Sequence, residues 1–345
     1  MIKRFKKLLG RYRNLDQIHI VPYRSYGTYS HLYVFGRVLD NEPLNIVKEQ
    51  SIFRTIKNTY KQFDSFEIPD AEMELVVPGK VNLRTTTSDE GYFLFDKTFD
   101  ENLSEYASNE GWIDYEVRYC EKVEPRTDEL ENPKRGEFLI PQHDAEFGVI
   151  SDIDDTILHT GVTSFLKWRL LKNSLLTNAY KRIPLKGAPS LYKKLHEGTS
   201  GKFRNPMFYL SNSPWNMYEY LKLFLDHNNF PKGPMLLRDL RTPFESTMKP
   251  EKPHKQKEIT NILKTYPDLK FILIGDSGEH DASIYTDIAA QYSDRILAIY
   301  LRSVKHKKQM QRVQSIIDNF DTVPVLMVMS SEEAEEHARE NGFIK

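Results

Sequence analysis

The chain has 345 residues, 39% of them hydrophobic and 28% charged, with a formal net charge of −1. That length favours two domains over one, the composition is that of an ordinary soluble protein, and the balanced charge argues for no nucleic-acid partner. One cysteine, Cys120, excludes a disulfide framework or a thiolate metal site and fits a reducing, cytoplasmic compartment, and no run is apolar enough for a membrane span or a signal peptide.

Met1 to Arg13 carries Lys3, Arg4, Lys6, Lys7, Arg11 and Arg13, while Ile2, Phe5, Leu8, Leu9 and Tyr12 recur at helical spacing. Two readings stand: a basic amphipathic helix lying on an anionic membrane surface, or a solvated terminus that packs one stripe on its domain. From Gln17 to about Pro141 the pattern is mostly strands: Gln17–Val21, His31–Leu39, Glu72–Val77, Val81–Thr87, Tyr92–Phe95, Trp112–Tyr119 and Phe138–Ile140. Pro78-Gly79 and Asp89-Glu90-Gly91 mark turns between them. One helix is expected between Asn45 and Phe63, from the spacing of Ile46, Ile52, Phe53, Ile56, Tyr60 and Phe63. Pro22 to Tyr29, rich in aromatics with one arginine, is either a headgroup- or partner-binding segment or a loop packing on the sheet edge, and Glu121 to Gly136 reads as a surface loop. The expectation is a β-rich, sandwich-like domain over residues 1–145, followed by a second domain over 146–345.

The second domain opens on Phe147-Gly148-Val149-Ile150, a buried-strand run, followed by Ser151-Asp152-Ile153-Asp154-Asp155-Thr156. If the chain stays extended, Asp152 and Asp154 leave one face about 6–7 Å apart, close enough to flank one phosphorus atom. Carboxylates crowded at the end of a buried strand are costly without a compensating cation or substrate. Phe165 to Lys172 is apolar and basic together and contains Trp168. It is either a flap over a phosphate-headed, apolar-tailed substrate or a core helix with a basic outer face. Ala188 to His196 is expected to be helical. A second buried strand, Pro206 to Leu210, runs into Ser211-Asn212-Ser213-Pro214-Trp215. There Ser213 is placed as a helix N-cap and Pro214 as the first helical residue; capping alone accounts for the pattern, and the free N–H groups of such a helix end also suit a phosphate.

Met235 to Leu240 is a third strand, with Arg238 at its end either touching substrate or pairing with Asp239. Lys249, Lys252, Lys255 and Lys257 cluster before a helix that carries Ile259, Ile262 and Leu263. A phosphoryl-transfer site needs one such ammonium, and Lys252 and Lys255 are both candidates. Lys270 to Ile274 is a fourth strand that ends in Gly275-Asp276, with Asp281 five residues on. Asp276 can complete an oxygen cage for a hard cation, and Asp281 can bind it or orient it from behind. His280 is less suited, because Mg²⁺ prefers oxygen. A strand over Arg295–Leu301, a basic helix from about Val304, a late strand over Val323–Met329 and an acidic helix over Ser331–Glu340 complete the domain.

Asp-Ile-Asp-Asp-Thr, Leu-Ser-Asn-Ser-Pro-Trp, His-Lys and Gly-Asp-Ser-Gly-Glu-His-Asp follow in that order. In this they resemble the motifs of the haloacid-dehalogenase-like (HAD-like) hydrolases. Within that superfamily, Ser-Asp-Ile-Asp-Asp-Thr-Ile, Ser-Pro-Trp and Leu-Leu-Arg-Asp are similar to the App1-type phosphatidate phosphatases (DUF2183-like). The resemblance implies an α/β fold whose C-terminal part is a HAD-like Rossmannoid three-layer α/β/α domain. It implies Asp152 as nucleophile, Asp154 as general acid and base, Ser211 and Lys255 on the phosphate, and substrate contacts from Thr156, Asn212 and Arg238. It implies Mg²⁺ as cofactor, held by Asp152, Asp154 through its backbone carbonyl, Asp276 and Asp281. The expected substrate is phosphatidate, cleaved to diacylglycerol and phosphate by way of an aspartyl-phosphate, with a peripheral contact to an anionic membrane. A soluble phosphomonoester or phosphoprotein substrate, and a non-enzymatic membrane or protein adaptor, are the alternatives.

Overall fold

The computed structural model describes residues 18–40, 66–77, 79–120, 133–154, 156–157, 184–202, 204–238, 253–277, 280–303 and 307–345. Strands and helices together make this a mixed α/β protein, and the chain divides into two compact units, Met1–Ile140 and Pro141–Lys345.

The described part of the first unit holds β1 (Ile18–Pro22), β2 (Ser25–Thr28), β3 (His31–Asp40), β4 (Phe66–Glu67), β5 (Glu72–Val77), β6 (Val81–Thr86), β7 (Tyr92–Thr98), β8 (Trp112–Tyr119) and β9 (Lys134–Leu139). Alternation decides which side faces the core: Leu32, Val34 and Val38 of β3 join Met73, Leu75, Phe93, Phe95, Ile113, Val117 and Phe138 in one buried cluster. Gly36 interrupts that row because the Phe93 ring lies across it; a Cβ there would come within 2.2 Å of Phe93 Cζ. The strands are linked in the path β1-β3-β2-β9-β8-β5-β6, with β4 and β7 also paired to β3. Pairing therefore does not divide them into two sheets, as a sandwich would.

Two stretches read as loops are partly strand. Ser25–Thr28 forms β2, antiparallel to β3 and parallel to β9, and Lys134–Gly136 opens β9 against β8. Both were hidden by polar or proline-flanked composition, which cross-strand partners override. The expected helices over Met1–Arg13 and Asn45–Phe63, and the expected flap around Phe165–Lys172, lie outside the described residues.

The second unit carries a sheet of β10 (Gly148–Asp152), β11 (Met207–Pro214), β12 (Met235–Arg238), β13 (Phe271–Asp276), β14 (Ile296–Arg302) and β15 (Val325–Val328). Their order is β12-β11-β10-β13-β14-β15, and every pair is parallel. Parallel strands need crossover connections, which cover them on both faces, and so they read as unbroken apolar runs. Every residue of β10 and of β13 is buried. The crossovers include α1 (Ala188–Glu197), α2 (Tyr218–His227), α3 (His254–Thr265), α4 (Asp281–Gln291) and α5 (Lys307–Asp318), and α6 (Ser331–Glu340) follows β15. Apolar stripes seat them: Leu191, Tyr192 and Leu195 on α1, and Ile259, Ile262 and Leu263 on α3, are buried. α3 packs on β11, and α4 on β13 and β14.

β10 comes first in the sequence and lies in the middle of the sheet, with β11 on one side and β13 on the other. At such a reversal of strand order the loops leave in opposite directions and open a crevice at the carboxyl ends, where α/β sheets bind ligands. Among the described residues, no helix is long and apolar enough to cross a membrane.

Candidate active site

The sheet delivers its polar residues to that crevice. Asp152 is the last residue of β10, Asp276 the last of β13, Asp281 the first of α4, and Lys255 sits in the first turn of α3. All four are buried, with side chains no more than 2% exposed. Lys255 Nζ lies 2.8 Å from Asp152 Oδ1 and donates to Asp281 Oδ1 at 2.6 Å. Thr156 Oγ1 donates to the other Asp152 oxygen, Oδ2, at 3.3 Å. The Asp276 N–H donates to Asp281 Oδ2 at 3.4 Å. Gly275 makes this approach possible, because a Cβ there would meet Asp281 Oδ2 at 2.6 Å and Tyr285 Cε2 at 2.7 Å.

Asp152, Asp276 and Asp281 offer carboxylate oxygens that all lie within 4.8 Å of one another. Three carboxylates beside one ammonium leave an excess of buried negative charge when all are ionised, which is costly unless a cation offsets it. All-carboxylate donors are hard oxygen ligands, the set that Mg²⁺, Ca²⁺ or Mn²⁺ takes and that Zn²⁺ or copper does not select. The cluster therefore fits a divalent metal by spacing and by donor chemistry. Tyr285 packs behind it, donating to the Ile274 carbonyl at 3.2 Å. Burial, and then the Asp281 charge, push its phenol well above the usual range, so it stays protonated.

Asp154 is expected to meet the metal through its backbone carbonyl, which leaves its carboxylate for other partners. Its carboxylate stands outside the three-aspartate cluster and accepts from Ser211 Oγ at 2.5 Å and from Ser213 Oγ at 3.4 Å. The Ser213 N–H in turn donates to Ser211 Oγ at 2.8 Å. This overturns Ser213 as a helix cap. β11 continues through Pro214, a 3-10 turn over Trp215–Met217 follows, and α2 starts at Tyr218 without a side-chain cap. The β11–β12 register shifts between Leu210 and Pro214. Such an irregularity re-aims side chains beside a site, and here the two serine hydroxyls reach Asp154. Ser213 was missed as a site residue although Ser211 and Ser213 share the two-residue spacing of Asp152 and Asp154, which sets both pairs on one strand face.

Arg238 ends β12 exposed, and Asn212 is half-buried between the two serines. Neither belongs to the carboxylate cluster. His280 is exposed, immediately before α4. Lys252, Asp155 and Glu279 lie outside the described residues. The unexpected neighbour is His254, next to Lys255. Its Nε2 lies 3.3 Å from the Leu236 carbonyl, and Nδ1 lies 3.9 Å from Glu258 Oε1. Burial pushes the imidazole down to about 4, with Arg238, Lys257 and Lys255 adding to the effect against the Leu236 carbonyl. Burial also raises the Glu258 carboxyl, against Lys257.

Fold and site together define an α/β protein with a buried carboxylate centre suited to a divalent cation. This part of the chain, residues 147–303, includes every aspartate, serine and lysine placed above and matches the family described as "Phosphatidate phosphatase APP1, catalytic domain". It is 42% identical over 156 residues to "Phosphatidate phosphatase APP1" of Saccharomyces cerevisiae, covering 45% of this chain and 25% of that protein. The chain is 28% identical over 269 residues to an uncharacterized Schizosaccharomyces pombe protein, C29B5.04c, covering 74% of this chain and 41% of the relative. The chain thus spans less than half the length of the curated relatives it matches.

Proposed function

We propose that this protein is a Mg²⁺-dependent phosphatidate phosphatase of the HAD-like type, with the catalytic domain over residues 146–345 and an accessory β-rich domain over 1–145. The observation that carries the reading is the buried Asp152–Lys255–Asp281–Asp276 cluster inside a segment of the APP1 catalytic family.

Charge and geometry support the following roles. Asp152, Asp276 and Asp281, with the backbone carbonyl of Asp154, would hold Mg²⁺. When bound, the ion offsets the repulsion between a phosphate dianion and a carboxylate nucleophile. Asp152 attacks phosphorus, the bond to the diacylglycerol oxygen breaks, and an aspartyl-phosphate forms. Asp154 gives its proton to the leaving alkoxide, then takes one from the water that attacks phosphorus and releases phosphate. Ser211, 2.5 Å from Asp154, orients that carboxyl and presents its oxygen toward the phosphate. Lys255 holds Asp152 and stabilises charge on the transferring oxygens. Thr156 orients the second Asp152 oxygen. Asn212 and Arg238, at the carboxyl ends of β11 and β12, contact the rest of the substrate. Substrate access is peripheral, from an anionic membrane surface, with the basic residues of Met1 to Arg13 as the attachment.

The test is Mg²⁺-dependent phosphate release from phosphatidate in mixed micelles, run beside a soluble phosphomonoester. Release from the lipid that is lost with Asp152→Asn and with chelator is the expected result. Turnover of the soluble ester alone would keep the chemistry and discard the lipid. Release from neither would remove the enzymatic reading and favour an adaptor.

A further inference from the structure

The β10–β13 ladder ends one residue short of the nucleophile, and two buried hydroxyls take over where it stops. Pairing runs from Gly148↔Phe271 to Ser151↔Ile274. In a parallel ladder the next rung would join the Asp276 N–H to the Asp152 carbonyl. Asp276 N–H turns instead to Asp281 Oδ2. The Asp152 carbonyl accepts from Ser151 Oγ at 2.8 Å. That hydroxyl also lies 2.6 Å from Tyr192 OH. A serine hydroxyl has one proton, and Ser151 gives it to the carbonyl, so Tyr192 is the donor in the second bond. Burial keeps the Tyr192 phenol protonated, well above its usual range. Ser151 is 0% exposed and Tyr192 2%, so both hydroxyls are shut off from bulk solvent.

We infer that Tyr192 and Ser151 act as a wedge at the end of the ladder: Tyr192 OH to Ser151 Oγ to the Asp152 carbonyl replaces the missing rung and holds β10 apart from β13 at the site. The splay separates the Asp152 and Asp276 backbones and leaves room between their carboxylates for a cation. Fixing the Asp152 carbonyl also fixes the peptide that leads to Ile153, and with it the direction in which Asp154 departs. Ser151 faces away from Asp152 and Asp154 along the strand. Tyr192 belongs to α1, outside every motif of the site. Both are positioning residues, since neither reaches the reacting atoms. The inference rests on the proposed function only for its catalytic consequence; the cation site it predicts stands on geometry.

Tyr192→Phe removes one hydroxyl and keeps the packed ring. Groups that orient metal ligands from behind are worth about 10- to 100-fold in affinity or rate. Titration of the metal-free protein with Mg²⁺ by calorimetry should show binding weakened about 10-fold in Tyr192→Phe and similarly in Ser151→Ala. The double variant should be no worse than Ser151→Ala, because the two hydroxyls act as one unit. On a soluble aryl phosphate, kcat should fall about 10-fold with KM held within about twofold, a split that general loosening would not produce. Wild-type Mg²⁺ affinity in Tyr192→Phe, or single losses that multiply in the double variant, would overturn the wedge. If the unmodified protein turns over no phosphomonoester, the proposed function fails by itself, and the Mg²⁺ titration still decides this inference.

Discussion

Lys255→Met tests how the buried charges are balanced. The substitution keeps length and volume while removing the ammonium that lies 2.8 Å from Asp152 and 2.6 Å from Asp281. Stranding one side of a buried pair costs about 3–5 kcal/mol. Carboxylates left alone can retain a proton, which favours the lower end, about 3 kcal/mol. For a unit of about 200 residues that corresponds to a melting temperature lower by roughly 6–12 °C. The fall should appear in chelator. Added Mg²⁺ should recover more stability in the variant than in the unmodified protein, because removing a positive charge beside the carboxylates strengthens their hold on a cation. Phosphatase activity should still drop by about 100-fold or more, since the cation does not replace the ammonium on the transferring oxygens. Differential scanning calorimetry with and without Mg²⁺ gives both shifts. A metal-free melting temperature within about 2 °C of the unmodified protein, or a smaller Mg²⁺-induced rise in the variant, would refute the charge balance.

Two further predictions concern groups that support the site. The His254 imidazole sits at about 4 when folded, against 6.5 as its ordinary value, so the unfolded chain binds the extra proton first. Its effect is absent above pH 6.5 and removes stability as pH falls from 6.5 toward 4, on the order of 3 kcal/mol in total. Urea unfolding across that range should show His254→Asn lacking this part of the slope, and parallel curves would exclude it. Gly275→Ala places a Cβ 2.6 Å from Asp281 Oδ2, which should cost about 1–3 kcal/mol and weaken Mg²⁺ binding measured by calorimetry; unchanged Mg²⁺ affinity would mean that Asp281 is not a ligand.

The parallel strands were legible because burial on both faces writes them as apolar runs: Gly148 to Ile150, Met207 to Leu210 and Phe271 to Ile274 need no partner information. The convergence of Asp152, Asp276 and Asp281 was legible too, since acids at the ends of such runs have few reasons to be there, whereas Lys255 was one of two candidates with Lys252. What failed was local grammar under tertiary control. Ser213-Pro214 is a good helix start in isolation, yet pairing with β12 at Arg238 carries the strand through Pro214 and turns both serine hydroxyls to Asp154. Ser25 to Thr28 looked like a loop because its strand character comes from β3 and β9, one adjacent and the other far along the chain. His254 enters its motif only as the neighbour of Lys255, and Tyr192 carries no motif signal at all. Their roles arise from a carbonyl on β12 and a hydroxyl on β10, which spacing along the sequence does not encode.

The central position of β10 also governs when the site comes into existence. Its two flanking strands enter at different times, and the carboxylates of β10 and β13 are separated along the chain by α1, β11, α2, β12 and α3. During synthesis, a nascent chain that has exposed Asp152 has no cage to offer a cation until the strand carrying Asp276 docks beside it. Such non-local parallel pairing forms slowly. A divalent ion held by that cage would recognise only the finished sheet and add its binding free energy to that state alone, so that metal uptake would come as a late checkpoint of folding.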